Sequence, residues 1–217
     1  MLKKCILALL CLLSGLAAFK VGQLLVTKEE ITILTPDDIH PSINNFPSKG
    51  DTAAKVTIVD YFNFSCRYCD SIDPLIDSLM VEFPGAIRYC AKPFPLEKDK
   101  GRRLMVRALL ASAEQNRYWE TLTLLRSMVE QGKTTLSYKE TKKRIAHISD
   151  SLKLDTKKLF DDMHSKRIEK LLETGDAEAK NYNIRRIPTV IINGQITTGL
   201  YPYYHYKDIV EKILSPK

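Results

Sequence analysis

The chain has 217 residues, 44% of them hydrophobic and 27% charged, proportions of an ordinary globular protein that exclude disordered and fibrous classes. The length suits one domain of usual size, or one that carries a sizeable insertion. The formal net charge of +7 arises from 33 Lys and Arg against 26 Asp and Glu. Those cations are dispersed through helical stretches without interleaved aromatics, so nucleic acid is not an expected partner.

At the N-terminus, Lys3 and Lys4 precede an uncharged run from residue 5 to 19 that contains Gly15, Ala17 and Ala18. This is the pattern of a secretory signal. As a helix the run would reach about 22 Å against a hydrocarbon core of about 30 Å, which favours a signal peptide over residues 1–19, cleaved near Ala17. An uncleaved anchor continuing through residues 21–26 is the alternative, although Lys20 interrupts it. Either way the body is expected to be exported. Cys5 and Cys11 fall inside this segment as apolar filler, leaving Cys66, Cys69 and Cys90 in the body. Three cysteines do not make a disulfide-stapled scaffold.

Residues 20–50 are polar and broken by Pro36, Pro41 and Pro47, and read as an extension or linker with at most a short strand at 31–34. Residues 56–62, Val-Thr-Ile-Val-Asp-Tyr-Phe, have the β-branched and aromatic character of a strand buried on both faces. Asp60 interrupts the run. A charged carboxylate is costly to bury there, so Asp60 either faces water or has a raised pKa and handles protons. Its place six residues before Cys66 favours the second reading.

Cys66-Arg67-Tyr68-Cys69 stands where this strand gives way to a helix expected from about Cys69. Cysteines at this spacing can close a small disulfide ring. A helix N-terminus together with Arg67 would lower the Cys66 thiol below its usual value of about 8.5 and make it nucleophilic. The same spacing is half of a zinc site, but His40, His147, His164 and His205 are scattered and no second pair exists. Redox chemistry is therefore favoured over capture of Cu(I) or Zn by Cys66, Cys69 and Cys90.

Ile72, Leu75, Ile76, Leu79, Met80 and Phe83 share a helical face, with a kink or restart expected at Pro74 and a stop at Pro84-Gly85. A strand over 87–91 follows, so strand, helix and strand predict a right-handed βαβ unit. Cys90 in that strand is expected to be a buried, unpaired thiol that serves packing. From residue 97 to 183 the pattern is helical throughout, with stripes at Leu104, Ala108 and Ala111, at Trp119, Leu122, Leu125 and Met128, and at Ile145, Ile148 and Leu152. Asp155 reads as an N-cap, and Ile168, Leu171 and Leu172 mark the last helix of this stretch. Strand character returns at 189–192, turns at Asn193-Gly194 and resumes at 195–198 as a hairpin. A closing helix over 204–214 carries Ile209, Val210 and Ile213 inward, and Tyr201, Tyr203, Tyr204 and Tyr206 form an aromatic cluster suited to packing.

The acid six residues before the first cysteine, the Cys-x-x-Cys, Lys92-Pro93-Phe94-Pro95-Leu96 after the second strand, the helical stretch and Ile187-Pro188-Thr189 resemble the thioredoxin superfamily. The resemblance is specifically to exported DsbA-like thiol:disulfide oxidoreductases, and it covers nearly all of residues 50–217. It implies an α/β, thioredoxin-like fold with a mixed central sheet of about four or five strands. The all-helical domain of residues 97–183 would be inserted between the two parts of the thioredoxin-like domain, 51–96 and 184–217. The resemblance makes Cys66 the exposed nucleophile, Cys69 the buried resolving thiol and Pro188 a cis-proline facing the disulfide. The backbone of Ile187 would then be open to an extended substrate segment, and Asp60 would relay a proton for Cys69. No cofactor or resident metal is implied. The partners would be exported cysteine-containing proteins and a membrane redox partner that reoxidises the enzyme, and the location would be the periplasm. Arg67-Tyr68 departs from the Pro-His of strong oxidases, its tyrosine being closer to exported isomerases, and Arg186-Ile187 departs from the usual Gly-Val or Gly-Thr. Oxidation of substrate thiols is the favoured direction, with isomerisation or reduction as the alternative.

Overall fold

In the computed structural model, which describes residues 35–43, 45–94, 99–129 and 137–215, the apolar run Val56–Phe62 is the middle strand of a five-stranded mixed sheet. The strands are β1 (Lys49–Gly50), β2 (Val56–Phe62), β3 (Ile87–Pro93), β4 (Thr189–Ile192) and β5 (Gln195–Thr198), ordered β1-β3-β2-β4-β5. β2 and β3 pair in parallel from Val56 with Ile87 to Phe62 with Pro93. The other three pairings are antiparallel. Every residue of β2 except Thr57 is buried, as a central strand covered on both faces requires.

The crossover between β2 and β3 is helix α1 (Ile72–Glu82), which buries Ile72, Ile76 and Leu79. It begins later than the sequence suggests, because residues Cys69–Ser71 form a 3-10 turn first. Pro74 accounts for the delay and does not kink the helix. It lies in the first turn of α1, where its missing N–H is one that would have no partner anyway. Pro84 and Gly85, the latter at φ 72°, turn the chain after Phe83 caps the helix. β3 extends beyond its apolar run to Pro93, since Lys92 finds a buried partner there.

Between β3 and β4 lie α2 (Lys100–Ser112), α3 (Tyr118–Met128), α4 (Tyr138–Ser151), α5 (Thr156–Asp162) and α6 (Lys166–Asn181). Four of them open on a side chain that accepts from a first-turn amide: Asp99 from Arg102, Ser137 from Glu140, Asp155 from Lys158 and Ser165 from Ile168. The buried residues include Leu104, Ala108 and Ala111 of α2, Leu122 and Leu125 of α3, and Ile145 and Ile148 of α4. The hairpin turn holds Asn193 at φ 42° and Gly194 at φ 85°, the two positive values that a type I′ turn demands. The last helix, α7 (Tyr203–Leu214), buries Tyr206, Ile209 and Val210. Of the tyrosine cluster, Tyr206 enters the core, Tyr203 donates to Glu82, Tyr201 stacks on His205 at 4.5 Å and Tyr204 is exposed.

The stretch before β2 behaves differently from a linker. Ile39 and Phe46 are buried in the core, Lys49–Gly50 pairs with Tyr89 and Arg88, and the Ser42 N–H donates to Glu178 at 2.8 Å. Its prolines and polar residues conceal two apolar anchors spaced too irregularly to show periodicity. The expected signal or anchor, Cys5, Cys11, the strand at 31–34 and residues Pro95 and Leu96 lie outside the described residues.

Phe46→Ala should destabilise the protein by about 3 kcal/mol, the cost of emptying a buried aromatic site. Urea unfolding measures it. A change below about 0.5 kcal/mol would return this stretch to the status of a linker.

Candidate active site

β2 runs toward the Cys-x-x-Cys turn, and β4 begins, antiparallel, at the same end of the sheet. The turn is built by short-range hydrogen bonds. The Cys66 N–H donates to the Asn63 carbonyl at 3.0 Å, and the Cys69 N–H donates to the Cys66 carbonyl at 3.1 Å. Asn63 Oδ1 accepts from both the N–H and the hydroxyl of Ser65, each at 2.7 Å. The Arg102 guanidinium donates to that hydroxyl at 2.6 Å, tying the start of α2 to the loop ahead of the motif.

Cys66 and Cys69 are joined in a disulfide with their Cα atoms 5.3 Å apart. Cys69 is fully buried, whereas Cys66 is partly exposed and Arg67 and Tyr68 are exposed. The regular helix begins only at Ile72, so Cys66 precedes a short 3-10 turn and not the first turn of an α-helix as the spacing predicts. Ile187 and Pro188 lead into β4, joined by a cis peptide bond. Pro188 is held by its carbonyl, which accepts from the Gly199 N–H at 2.8 Å. Neither the N–H nor the C=O of Ile187 has a hydrogen-bond partner among the described residues.

Asp60 is fully buried in β2, and neither carboxylate oxygen has a hydrogen-bond partner among the described residues. Burial pushes its carboxyl well above the usual range, repulsion by Asp73 adds to this, and Arg126 opposes it. Arg126 was not singled out by the sequence. Its side chain, 10% exposed, reaches in from α3, with Nε 3.3 Å from the Asp70 carboxylate and Nη1 on Asp73. The guanidinium lies over the Phe62 ring at 4.7 Å. Tyr89 donates its hydroxyl to the other Asp73 oxygen. One guanidinium thus acts on three carboxyl groups, and the fully buried one, Asp60, is the one held furthest toward its protonated form. A groove of about 680 Å³, lined by Asp70, Asp73, Trp119 and Arg126 among others, brings solvent to the guanidinium and to two of these carboxylates, while Asp60 stays buried behind them.

The opposite face of the same strand holds a second buried charge. Lys92, 1% exposed, pairs with Glu178 of α6 at 2.6 Å, and Glu178 also accepts from the Tyr61 hydroxyl at 3.0 Å. Lys92 further lies over the Phe46 ring at 4.5 Å. Cys90 is a buried free thiol, pushed up to about 12 by burial, with Lys92 the largest opposing influence. It packs as its place in an apolar strand predicts. Among the described residues no three His, Cys, Asp or Glu side chains are placed to hold a metal ion.

This arrangement has known counterparts. A thioredoxin-like oxidoreductase from Silicibacter pomeroyi DSS-3 superposes with a TM-score of 0.67 at 21% identity, covering 78% of this chain and 92% of that one. Oxidised BdbD from Bacillus subtilis superposes with a TM-score of 0.68 at 20% identity, covering 80% and 95%. The sheet and helical layer are those of a thioredoxin-like fold, here with a closed cysteine pair. A family model described as Thioredoxin matches residues 45–212, and the chain belongs to that family. Among curated proteins, 107 residues are 30% identical to the Na(+)/H(+) antiporter NhaA 1 of Mycolicibacterium gilvum, 49% of this chain but only 17% of that protein. The chain therefore spans a small part of the curated relatives it matches, and no helix of the described residues is long and apolar enough to cross a membrane.

Asp60 carries a pH signature. Its raised value means that the folded chain keeps a proton the unfolded chain releases above about pH 4. The stability this contributes is full below that pH and is lost as pH rises through the raised value. Across that window the oxidised native chain should lose about 1.4 kcal/mol per pH unit relative to Asp60→Asn. Urea unfolding of both at pH 5, 6 and 7 measures the gap; parallel pH dependence would mean that Asp60 is ionised in the fold.

Proposed function

We propose that this protein exchanges disulfides with exported cysteine-containing proteins and runs toward oxidation of their thiols. The observation that carries the reading is the asymmetry of the disulfide, a partly exposed Cys66 bonded to a fully buried Cys69. Only Cys66 is open to in-line attack from solvent. A substrate thiolate attacks Cys66 Sγ, the Cys66–Cys69 bond breaks, and Cys69 leaves as a thiolate. Asp60 then supplies a proton toward that buried thiolate, and Arg126 stabilises the carboxylate that remains. A second substrate thiolate attacks the mixed disulfide and releases Cys66 as a thiolate. The substrate has lost two electrons and gained a disulfide, and the enzyme holds them as a dithiol. A membrane-held disulfide partner takes those electrons and closes the cycle.

Two features support the binding side of this reading. The unpaired N–H and C=O of Ile187 offer an extended substrate a pair of backbone hydrogen bonds beside the disulfide. Arg67 places an uncompensated cation next to Cys66, which stabilises its thiolate, favours the reduced enzyme and makes the disulfide a better oxidant. The signal pattern of residues 1–19 supports export to the periplasm or an equivalent oxidising space.

Oxidative refolding of a reduced, unfolded test protein should proceed with the oxidised enzyme and stop with Cys66→Ser. Cys69→Ser should instead accumulate mixed disulfides through Cys66, visible on non-reducing gels. Efficient rescue of scrambled disulfides together with a potential near about −270 mV would assign the reverse direction.

A further inference from the structure

Eleven arginines are present in the chain, and all lie within the described residues. Nine of them are engaged. Arg102 holds Asp99, Arg107 holds Glu169, Arg117 holds Glu120, Arg126 holds Asp70 and Asp73, Arg144 holds Glu140, and Arg167 holds Glu114. Arg88 donates to Ser48 and Arg185 to Asn183, and Arg103 also has a partner. The two that remain, Arg67 and Arg186, are exposed and have no side-chain partner among the described residues.

Their positions are not scattered. Arg67 follows Cys66, and Arg186 precedes Ile187 and Pro188. Thr189 pairs with Tyr61 in antiparallel register, so the chain running back from Thr189 passes alongside the chain running on from Tyr61 to Cys66. The two unpaired guanidiniums therefore border the same end of the sheet, one on each of the two segments that would hold a substrate cysteine. Carboxylates near them in the chain are engaged elsewhere. Asp70 and Asp73 are drawn to Arg126, and Glu178 is drawn to Lys92.

We infer that Arg67 and Arg186 form an electrostatic clamp that selects substrate segments with carboxylates flanking the reactive cysteine. The inference rests on the exchange reading above and names the substrate class of that site. An extended segment paired with Ile187 places residues on either side of its cysteine beside the two cations. Exposed pairs contribute little singly, about 0.2–1 kcal/mol each, so two of them correspond to a preference of about two- to thirtyfold. Arginine suits the task because its planar fork matches a carboxylate with two parallel hydrogen bonds.

The test uses three synthetic dithiol peptides of equal length that carry Glu, Gln or Lys on both sides of each cysteine. Flanking charge alters thiol reactivity by itself, so each rate with the oxidised full chain is divided by the same peptide's rate with hydroxyethyl disulfide, a neutral reagent. The normalised kcat/KM should favour the Glu peptide over the Lys peptide by about two- to thirtyfold at low salt and converge toward parity at 0.5 M NaCl. Arg186→Glu and, separately, Arg67→Gln should each reduce the Glu-to-Lys ratio by about twofold or more, whatever they do to the absolute rate. A ratio at or below one, or a ratio that neither substitution moves, overturns the clamp. Failure to oxidise even the Gln peptide overturns the exchange reading itself, and the clamp with it.

Discussion

A carboxyl group in the middle of the central strand has to be kept neutral or matched by a cation, and the elements around Asp60 meet that demand from two directions. Burial and the repulsion of Asp73 favour the protonated form. An ionised carboxylate at that depth without hydrogen bonds would cost several kcal/mol. Among the described residues the cation that opposes these effects, Arg126, does not come from the βαβ unit at all. It arrives on α3, crosses the Phe62 ring and engages Asp70 and Asp73. The helical layer therefore supplies part of the electrostatics around Asp60 as well as covering the sheet.

The alternation of β2 divides the buried charges between its faces. Asp60 is in register with Ala91, while Tyr61 is in register with Lys92. The Asp60 face belongs to the redox helix and α3. The Tyr61 face belongs to Lys92, Glu178 and the segment before β2, which Ser42 and Phe46 attach to the same cluster. A buried ion pair is weak evidence for stability by itself, because desolvation offsets much of the attraction. Its effect here is positional: the Lys92 ammonium ties the end of β3 to α6 and lies over the Phe46 ring.

The two ends of the reaction path meet opposite electrostatic conditions. Inside the sheet, Asp60 is held toward its neutral form by burial while Arg126 opposes that shift. Outside, around Cys66, two unpaired guanidiniums face the solvent. A likeness of fold says nothing about which proteins this site accepts, and the feature that distinguishes this chain at the rim is the Arg-Ile before Pro188 and the Arg-Tyr between the cysteines.

Local pattern made much of this legible. The uninterrupted apolar run of β2, the helical face of α1, the Asn-Gly turn and the Asp155 cap all lie within a few residues of the signals that reveal them, because backbone geometry and side-chain periodicity act at that range. Asp60 stood out for the same reason, as a charge in a run that has no place for one. The missed residues are those whose partners are remote in sequence. Arg126 meets Asp73 across 53 positions, Lys92 meets Glu178 across 86, and Ser42 meets the same glutamate across 136. The sequence by itself thus determined which segments are strands and helices, that Cys66 and Cys69 are close, and that Asp60 needed an explanation. Only the tertiary structure decided which cation answers Asp60, that Ile39 and Phe46 belong to the core, and which arginines have no partner among the described residues, since these depend on how the sheet order and helix packing bring distant charges into one low-dielectric space.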